Sequence, residues 1–96
     1  MSPKNKIKLN ILRRKLDNLD NDLLKLIKIR TEIIKKVLFL KNKKSEIVDK
    51  KRIAFILKKI KKYSINRNID PIITNKIWKS MIWSYIDFEK KNFKRK

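Results

Sequence analysis

A cation occupies an interior position of the longest apolar pattern in this sequence. Arg30 lies within LIKIRTEII, residues 26 to 34, where the spacing of the neighbouring leucines and isoleucines calls for an aliphatic side chain. A guanidinium at a core position is costly unless an anion meets it. Arg30 therefore predicts either a buried ion pair or a bound anion.

Three further charged residues bear on that choice. On a helix, Lys41 lies about 20° around the axis from Arg30 and roughly 16 Å along it, so both cations face one gap. Arg13 lies about 25 Å from Arg30, so only the antiparallel helix of a second chain could bring an Arg13 to that gap. Glu89 falls on the inward stripe of a later helix. A core pair of Arg30 with Glu89 and a site for a small anion both remain open at this point.

The composition excludes most other kinds of active site. The 96 residues include no cysteine, histidine or glycine. Thiol and imidazole chemistry, disulfides, the usual metal sites and glycine-dependent phosphate loops are therefore ruled out. We expect one domain, residues 1–96 with frayed ends at 1–5 and 94–96, that uses no metal and no cofactor.

The net charge of +20 has two interpretations. A high lysine content favours nucleic-acid binding, because lysines that face phosphates gain affinity by releasing counterions. Lysine among many isoleucines and asparagines is also the composition that a genome rich in A and T would encode. We expect no specific nucleic-acid binding, because no zinc finger, aromatic stacking motif or recognition-helix turn accompanies the charge. No apolar run has the length of a signal peptide or a membrane span, so the sequence predicts a cytoplasmic protein without a membrane partner.

Apolar residues at alternating steps of three and four predict a very long first helix. The positions of this seam are Leu9, Leu12, Leu16, Leu19, Leu23, Leu26, Arg30, Ile33, Val37 and Leu40. The helix should run from about Lys6 to about Lys41, roughly 50 Å. A compact globule of this size would have a radius of gyration of only about 12 Å. A second chain is therefore expected to cover much of the helix.

Two shorter helices complete an all-α prediction of three helices per chain. Residues 42–48 predict a loop, after which Asp49 caps a second helix that fades near Ser64. Residues 65–70 predict a turn with asparagines in place of glycine, and Asp70 followed by Pro71 starts a third helix that ends near Phe93. The inward residues predicted for the second and third helices are Ile53, Ile56, Leu57, Ile60, Trp78, Met81, Ile82, Tyr85 and Ile86.

The segment LRRKLDNLDNDLLKLIKIRTEIIKKVLFLK, residues 12 to 41, resembles the first helix of the all-helical chorismate mutases. The likeness continues through VDKKR and IWKSMIWSYIDFEKKNF, to about Phe93. It implies an intertwined helical homodimer with two active sites, each built mainly from one subunit with an arginine lent by the other. It also implies chorismate, a small dicarboxylate, as the substrate, rearranged to prephenate in phenylalanine and tyrosine biosynthesis.

The resemblance implies roles for the charged residues of the first helix and its end. Arg13 resembles the arginine that the partner subunit lends to a substrate carboxylate. Arg30 resembles the arginine that grips the other carboxylate. Lys41 resembles the lysine that contacts a carboxylate and the ether oxygen that is cleaved.

The resemblance implies further substrate contacts from the second and third helices. Asp49 and Arg52 fall where the family contacts the ring hydroxyl and a carboxylate. Glu89 falls where the family carries glutamine or glutamate hydrogen-bonded to the ether oxygen. Tyr85 falls at a substrate-facing position where a small polar residue is frequent.

Two departures from the chorismate mutase pattern leave a second enzyme as an alternative. Ile53 stands where many chorismate mutases have a glutamate that binds the ring hydroxyl, and Tyr85 replaces the small polar residue. Both features also look like the related isochorismate pyruvate lyases, which share the scaffold and the cationic clamp. Glu89 favours the mutase, since those lyases carry glutamine there. The lyase and a basic helical nucleic-acid-binding module are the alternatives.

Overall fold

A computed structural model describes residues 1–94, and this part of the chain is helical without a strand. In chain order the elements are α1 Pro3–Leu40, a short 3₁₀ turn Lys44–Glu46, α2 Lys50–Asn66 and α3 Pro71–Asn92. The all-α prediction with a very long first helix is thereby confirmed. Of the residues 94–96 that were expected to fray, 95 and 96 lie outside the described residues.

The first helix begins at Pro3, earlier than the predicted start near Lys6. The Ser2 hydroxyl accepts a hydrogen bond from the backbone N–H of Asn5 at 3.2 Å, and the Ser2 carbonyl accepts one from Lys6 at 2.9 Å. Pro3 fits the first helical position, where no N–H is needed. A serine cap followed by proline therefore sets this helix start, ahead of the first apolar seam residue.

The chain divides into two units, one of residues 1–34 and one from residue 35 onward. In the first unit, the leucines of the seam from Leu12 to Leu26 are exposed within the single chain. Their exposed fractions are 55% for Leu12, 57% for Leu16, 58% for Leu19 and 54% for Leu23. A continuous apolar surface of this kind is typical of an interface. Its cover by a second chain stays a prediction.

In the described part of the second unit, four buried hydrophobic side chains form a small core: Leu38, Ile47, Ile82 and Ile86. The partly buried residues packed against them are Val48, Ile53, Ile56, Leu57 and Phe93. The inward positions predicted for Ile82 and Ile86 are thus confirmed, as is the α2 stripe that contacts this core. Helices α2 and α3 therefore pack through the faces that their apolar spacing predicts.

Two members of this core were not predicted. Leu38 is 8% exposed, whereas the neighbouring seam residues Val37 and Leu40 are 40% and 73% exposed. The chain thus uses the helix face beside the seam for its own core and leaves the seam outside. Ile47 is 3% exposed although it lies in a polar loop segment, because the 3₁₀ turn before it directs the chain back toward the core.

The second helix extends to Asn66, beyond the predicted end near Ser64. Ser64 does not break the helix, because its hydroxyl lies 2.6 Å from the Ile60 carbonyl, to which it donates, and 2.7 Å from the hydroxyl of Thr74. Both side chains are buried, with 3% and 9% exposed. This hydrogen-bonded pair joins the end of α2 to the start of α3.

The turn between these helices closes α2 with a left-handed residue. Asn68 has a φ of 56°, and its N–H donates to the Ile65 carbonyl at 3.2 Å. The N–H of Ile69 donates to the Ser64 carbonyl at 2.9 Å, which completes a Schellman motif. The prediction that asparagine would serve in place of glycine here is confirmed, as are Asp70 as the cap and Pro71 as the first residue of α3.

Among the helices described between residues 1 and 94, none combines the length and apolar character needed to cross a bilayer.

The left-handed turn predicts opposite effects for one substitution at two asparagines. Asn68→Ala should lower the free energy of unfolding by about 1 kcal/mol, because a Cβ without a local hydrogen-bonding group is disfavoured at positive φ. Asn66→Ala, within the regular helix, should raise it slightly. Thermal melting followed by circular dichroism should show the first change as a fall of about 4–8 °C. Equal shifts at both positions would contradict the assigned role of Asn68.

Candidate active site

Two of the predicted site residues, Lys41 and Glu89, form an ion pair. The Lys41 Nζ lies 2.8 Å from Oε2 of Glu89, although the residues are 48 positions apart. The side chains are only 18% and 7% exposed, so water screens the pair weakly. The expected inward orientation of Glu89 is confirmed. A buried carboxylate is here balanced by a cation from another element, as buried charge requires.

The core holds both partners of this pair in place. Lys41 directly follows the last residue of α1, and its N–H donates to the carbonyl of buried Leu38 at 3.1 Å. Glu89 follows Ile82 and Ile86 at steps of four and three, so it continues their buried face of α3. The ammonium and the carboxylate are thus fixed at the edge of the core by the residues that form it.

Asp49 and Arg52 meet at the start of α2. Oδ1 of Asp49 accepts the backbone N–H of Arg52 at 3.0 Å, so Asp49 performs the capping role expected of it. Val48 and Ile53, on either side of this cap, pack against the core that includes Ile86. The start of α2 is therefore anchored on the same core as Glu89.

The side chain of Arg52 is exposed and lies against an aromatic ring. Its guanidinium carbon is 5.4 Å from the centre of the Phe55 ring, within the range of a cation–π contact. This contact restricts the orientation of Arg52. Sequence reasoning missed Phe55, although an aromatic residue one helical turn after an arginine indicates such a contact.

Tyr85 and Ile53, the two departures from the chorismate mutase pattern, are both partly buried. Tyr85 precedes Glu89 by one turn of α3 and so lies on the same face of that helix. Ile53 packs against the core. An aliphatic group at this position has no polar atom to offer a ligand, whereas the phenol of Tyr85 can donate and accept hydrogen bonds.

Arg13 and Arg30 lie in the first unit, on α1. Arg13 is exposed, whereas Arg30 is partly buried and its Nη1 atom is shielded from solvent. The helical rise separates their backbones by about 25 Å, so this helix does not bring the two guanidinium groups together. Arg30 thus has the sheltered position that its place in the apolar pattern indicated, and Arg13 reaches solvent.

The Lys41–Glu89 arrangement is suited to binding an oxygen atom of a small molecule. An ammonium group has three N–H donors, and the contact with Glu89 uses one of them. A hydrogen bond from a sheltered ammonium to an oxygen that gains negative charge is stronger than the same bond in water. The Lys41 ammonium can therefore stabilise negative charge on a bound molecule without exchanging an atom with it.

The comparison with family models gives one match. The model for chorismate mutase type II matches residues 12–90, which include every candidate site residue. No curated protein and no solved structure matches the chain. Because the matched region takes up most of the 96 residues, the chain belongs to the chorismate mutase type II family.

Proposed function

We propose that this protein is a chorismate mutase that rearranges chorismate to prephenate, a step toward phenylalanine and tyrosine. The observation that carries the proposal is the sheltered Lys41–Glu89 pair in a chain of this family. In the rearrangement the ether C–O bond breaks while a C–C bond forms within the same molecule, and no atom leaves. The reaction needs no nucleophile, which suits a chain without cysteine or histidine.

Lys41 and Glu89 are proposed to act on the ether oxygen as its bond to the ring breaks. Negative charge grows on that oxygen in the transition state, and a donor aimed at it lowers the barrier by roughly 3 kcal/mol. Lys41 donates from its ammonium. Glu89 donates only when it carries a proton, and otherwise it accepts from Lys41, as it does in the 2.8 Å contact.

The two carboxylates of chorismate are proposed to bind Arg30 and the Arg13 of a second subunit. A planar guanidinium can hold a carboxylate through two parallel hydrogen bonds, which fixes the orientation of the group it holds. With both carboxylates held, the enolpyruvyl arm lies over the ring, and the bond-forming atoms stay close. Asp49 and Arg52 are proposed to contact the ring hydroxyl and a carboxylate, and Tyr85 to border the substrate.

A homodimer is proposed because the site needs it and because the first helix offers the surface for it. Arg13 is too far along α1 from Arg30 to share a ligand with it within this helix. The seam leucines that lie near Arg13, among them Leu12 and Leu16, are more than half exposed. Packing this seam against the α1 of a second copy would remove it from water and bring Arg13 across.

Isochorismate pyruvate lyase is the second candidate on the same scaffold. Ile53 and Tyr85 are the residues that favour it, since the half-buried Ile53 offers no group for the ring hydroxyl. Glu89 favours the mutase. The two reactions have different products, so one pair of assays separates them.

With chorismate, the purified protein should yield prephenate, and with isochorismate it should yield no pyruvate and no salicylate. The two products can be followed by chromatography against an enzyme-free control. Formation of pyruvate and salicylate from isochorismate, with chorismate left intact, would replace the mutase by the lyase. Failure to convert either compound would refute both enzymes.

Glu89→Gln should keep or raise kcat/KM, whereas Glu89→Ala should lower it by about 100-fold. The amide of glutamine can donate a hydrogen bond to the ether oxygen, whereas a carboxylate without a proton only accepts and alanine does neither. Steady-state rates with chorismate measure both changes. Glu46→Gln is the matched control, because Glu46 accepts the N–H of Lys43 at the 3₁₀ turn instead. If Glu89→Gln lowers kcat/KM as far as Glu89→Ala does, the donor role is wrong.

Two inactive variants should complement each other if Arg13 acts across the dimer. Arg13→Ala and Arg30→Ala should each lower kcat/KM by at least about 100-fold, the loss expected for one essential charged contact. Refolded together in equal amounts, they form hybrid dimers in which one of the two sites has both arginines. The mixture should then recover about a quarter of the unaltered activity. No recovery beyond the sum of the separate variants would contradict the shared site.

A further inference from the structure

The positive charge of this protein is not spread evenly over its helices. Of the nine acidic residues, four lie in α1 and two in α3, whereas α2 has none. The seven basic residues among the 17 of α2 are Lys50, Lys51, Arg52, Lys58, Lys59, Lys61 and Lys62. A general lysine bias of the genome would raise the basic content of all three helices, but it does not account for a helix free of acidic side chains.

On the outer face of α2, cations and aromatic rings alternate in a continuous row. The Arg52 guanidinium lies 5.4 Å from the Phe55 ring, and the Lys59 ammonium lies 5.9 Å from that ring and 5.4 Å from the Tyr63 ring. Arg67 follows at 5.2 Å from Tyr63, and its Nη1 also donates to the Tyr63 carbonyl at 3.2 Å. We call these five residues the α2 ladder.

The ladder orients three long cationic side chains that would otherwise be mobile. Each ring gives the neighbouring cations a fixed surface, which reduces the conformational entropy lost when they bind an anion. Arg52, Lys59 and Arg67 follow one another at about 10–12 Å, over roughly 22 Å of helix. A second row, formed by Lys51, Lys58 and Lys62, lies about 100° around the helix. All of these cations are exposed.

From this surface we infer that the protein also binds the phosphate backbone of nucleic acid, without sequence specificity. One row of oriented cations over about 22 Å, with a second row of cations over about 16 Å beside it, fits a ligand whose negative charges recur along its length. Both rings of the ladder already contact cations, so the ladder offers charge rather than a stacking platform for bases. This inference does not depend on the proposed enzyme activity.

An anionic membrane is the other extended polyanion, and the structure favours it less. A helix that lies on a membrane buries an apolar face between the lipid head groups. In α2 the apolar stripe, which includes Ile53, Ile56 and Leu57, packs against the core of the second unit. The outer face of α2 therefore presents cations to a partner, whereas the apolar residues of α2 already pack against the core.

Charge removal on the ladder should weaken DNA binding much more than the same removal elsewhere. The ladder variant combines Lys59→Gln and Arg67→Gln from the ladder with Lys62→Gln from the second row. The matched control is Lys79→Gln with Lys90→Gln and Lys91→Gln on α3. Neither set includes a residue of the candidate active site. Fluorescence anisotropy with a labelled duplex of about 20 base pairs measures the dissociation constant over a series of salt concentrations.

The unaltered protein should bind the duplex, with affinity that falls as salt rises. The ladder variant should bind about 100-fold more weakly at low salt, and the slope of log affinity against log salt should fall by about 2.7 for three lost contacts. The control should change affinity by less than about threefold. Circular dichroism establishes that both variants keep the helical content of the unaltered protein.

Three results would overturn the inference. Equal losses in the ladder variant and the control would show that net charge alone attracts DNA. Absence of binding to the duplex at low salt would show that nucleic acid is not the ligand of this surface. Binding to phosphatidylserine vesicles without binding to the duplex would assign the surface to membranes instead.

Discussion

The buried ion pair between Lys41 and Glu89 is the interaction on which the candidate site depends. A carboxylate that is 7% exposed has lost most of its contact with water, and only a cation at hydrogen-bond distance makes that burial tolerable. The pair fixes the residue that follows α1 against the last turns of α3. It also leaves an ammonium group with N–H donors to spare in a sheltered place, which is the property needed to stabilise charge on a reacting oxygen.

The small size of the core explains why this chain is proposed to function as a dimer. Four hydrophobic side chains are buried in the described part of the second unit, and none of them belongs to the leucine seam of α1. A chain of 96 residues that leaves a row of leucines half exposed gains little of the free energy that their burial could supply. The same helix carries Arg13 and Arg30 too far apart to bind one ligand. Association of two copies would bury the leucines and let the Arg13 of one copy share a ligand with the Arg30 of the other.

Charge has two separate proposed uses in this molecule. Where a cation is sheltered, as Lys41 is, its effect comes from a single close contact in surroundings that screen little. On the outer face of α2 the cations are exposed, and each contributes little by itself, so an effect arises only when many of them act on an extended ligand. Net charge of +20 does not distinguish these uses, because it counts both kinds of residue equally.

The sequence by itself determined the helices, because apolar spacing, caps and breakers are local properties. Asp49 and Asp70 mark the helix starts through hydrogen bonds within a few residues, and Pro71 fits the first helical position because no N–H is needed there. Asn68 supplies the left-handed turn of a chain without glycine. The family match over residues 12–90 agrees with the resemblance that the charged residues of the first helix indicated. A local pattern also placed Glu89 on an inward face.

Only the tertiary structure decided which partners meet. Spacing alone left Glu89 with more than one possible cation, and the packing of Ile82 and Ile86 against Leu38 brings Lys41 to it. Leu38 replaced the seam residues in the core, and Ser64 stayed within its helix because Thr74 lies opposite. These outcomes depend on contacts between residues far apart in the chain. The apolar spacing within one helix predicts which face is buried. It does not predict which other residues pack against that face.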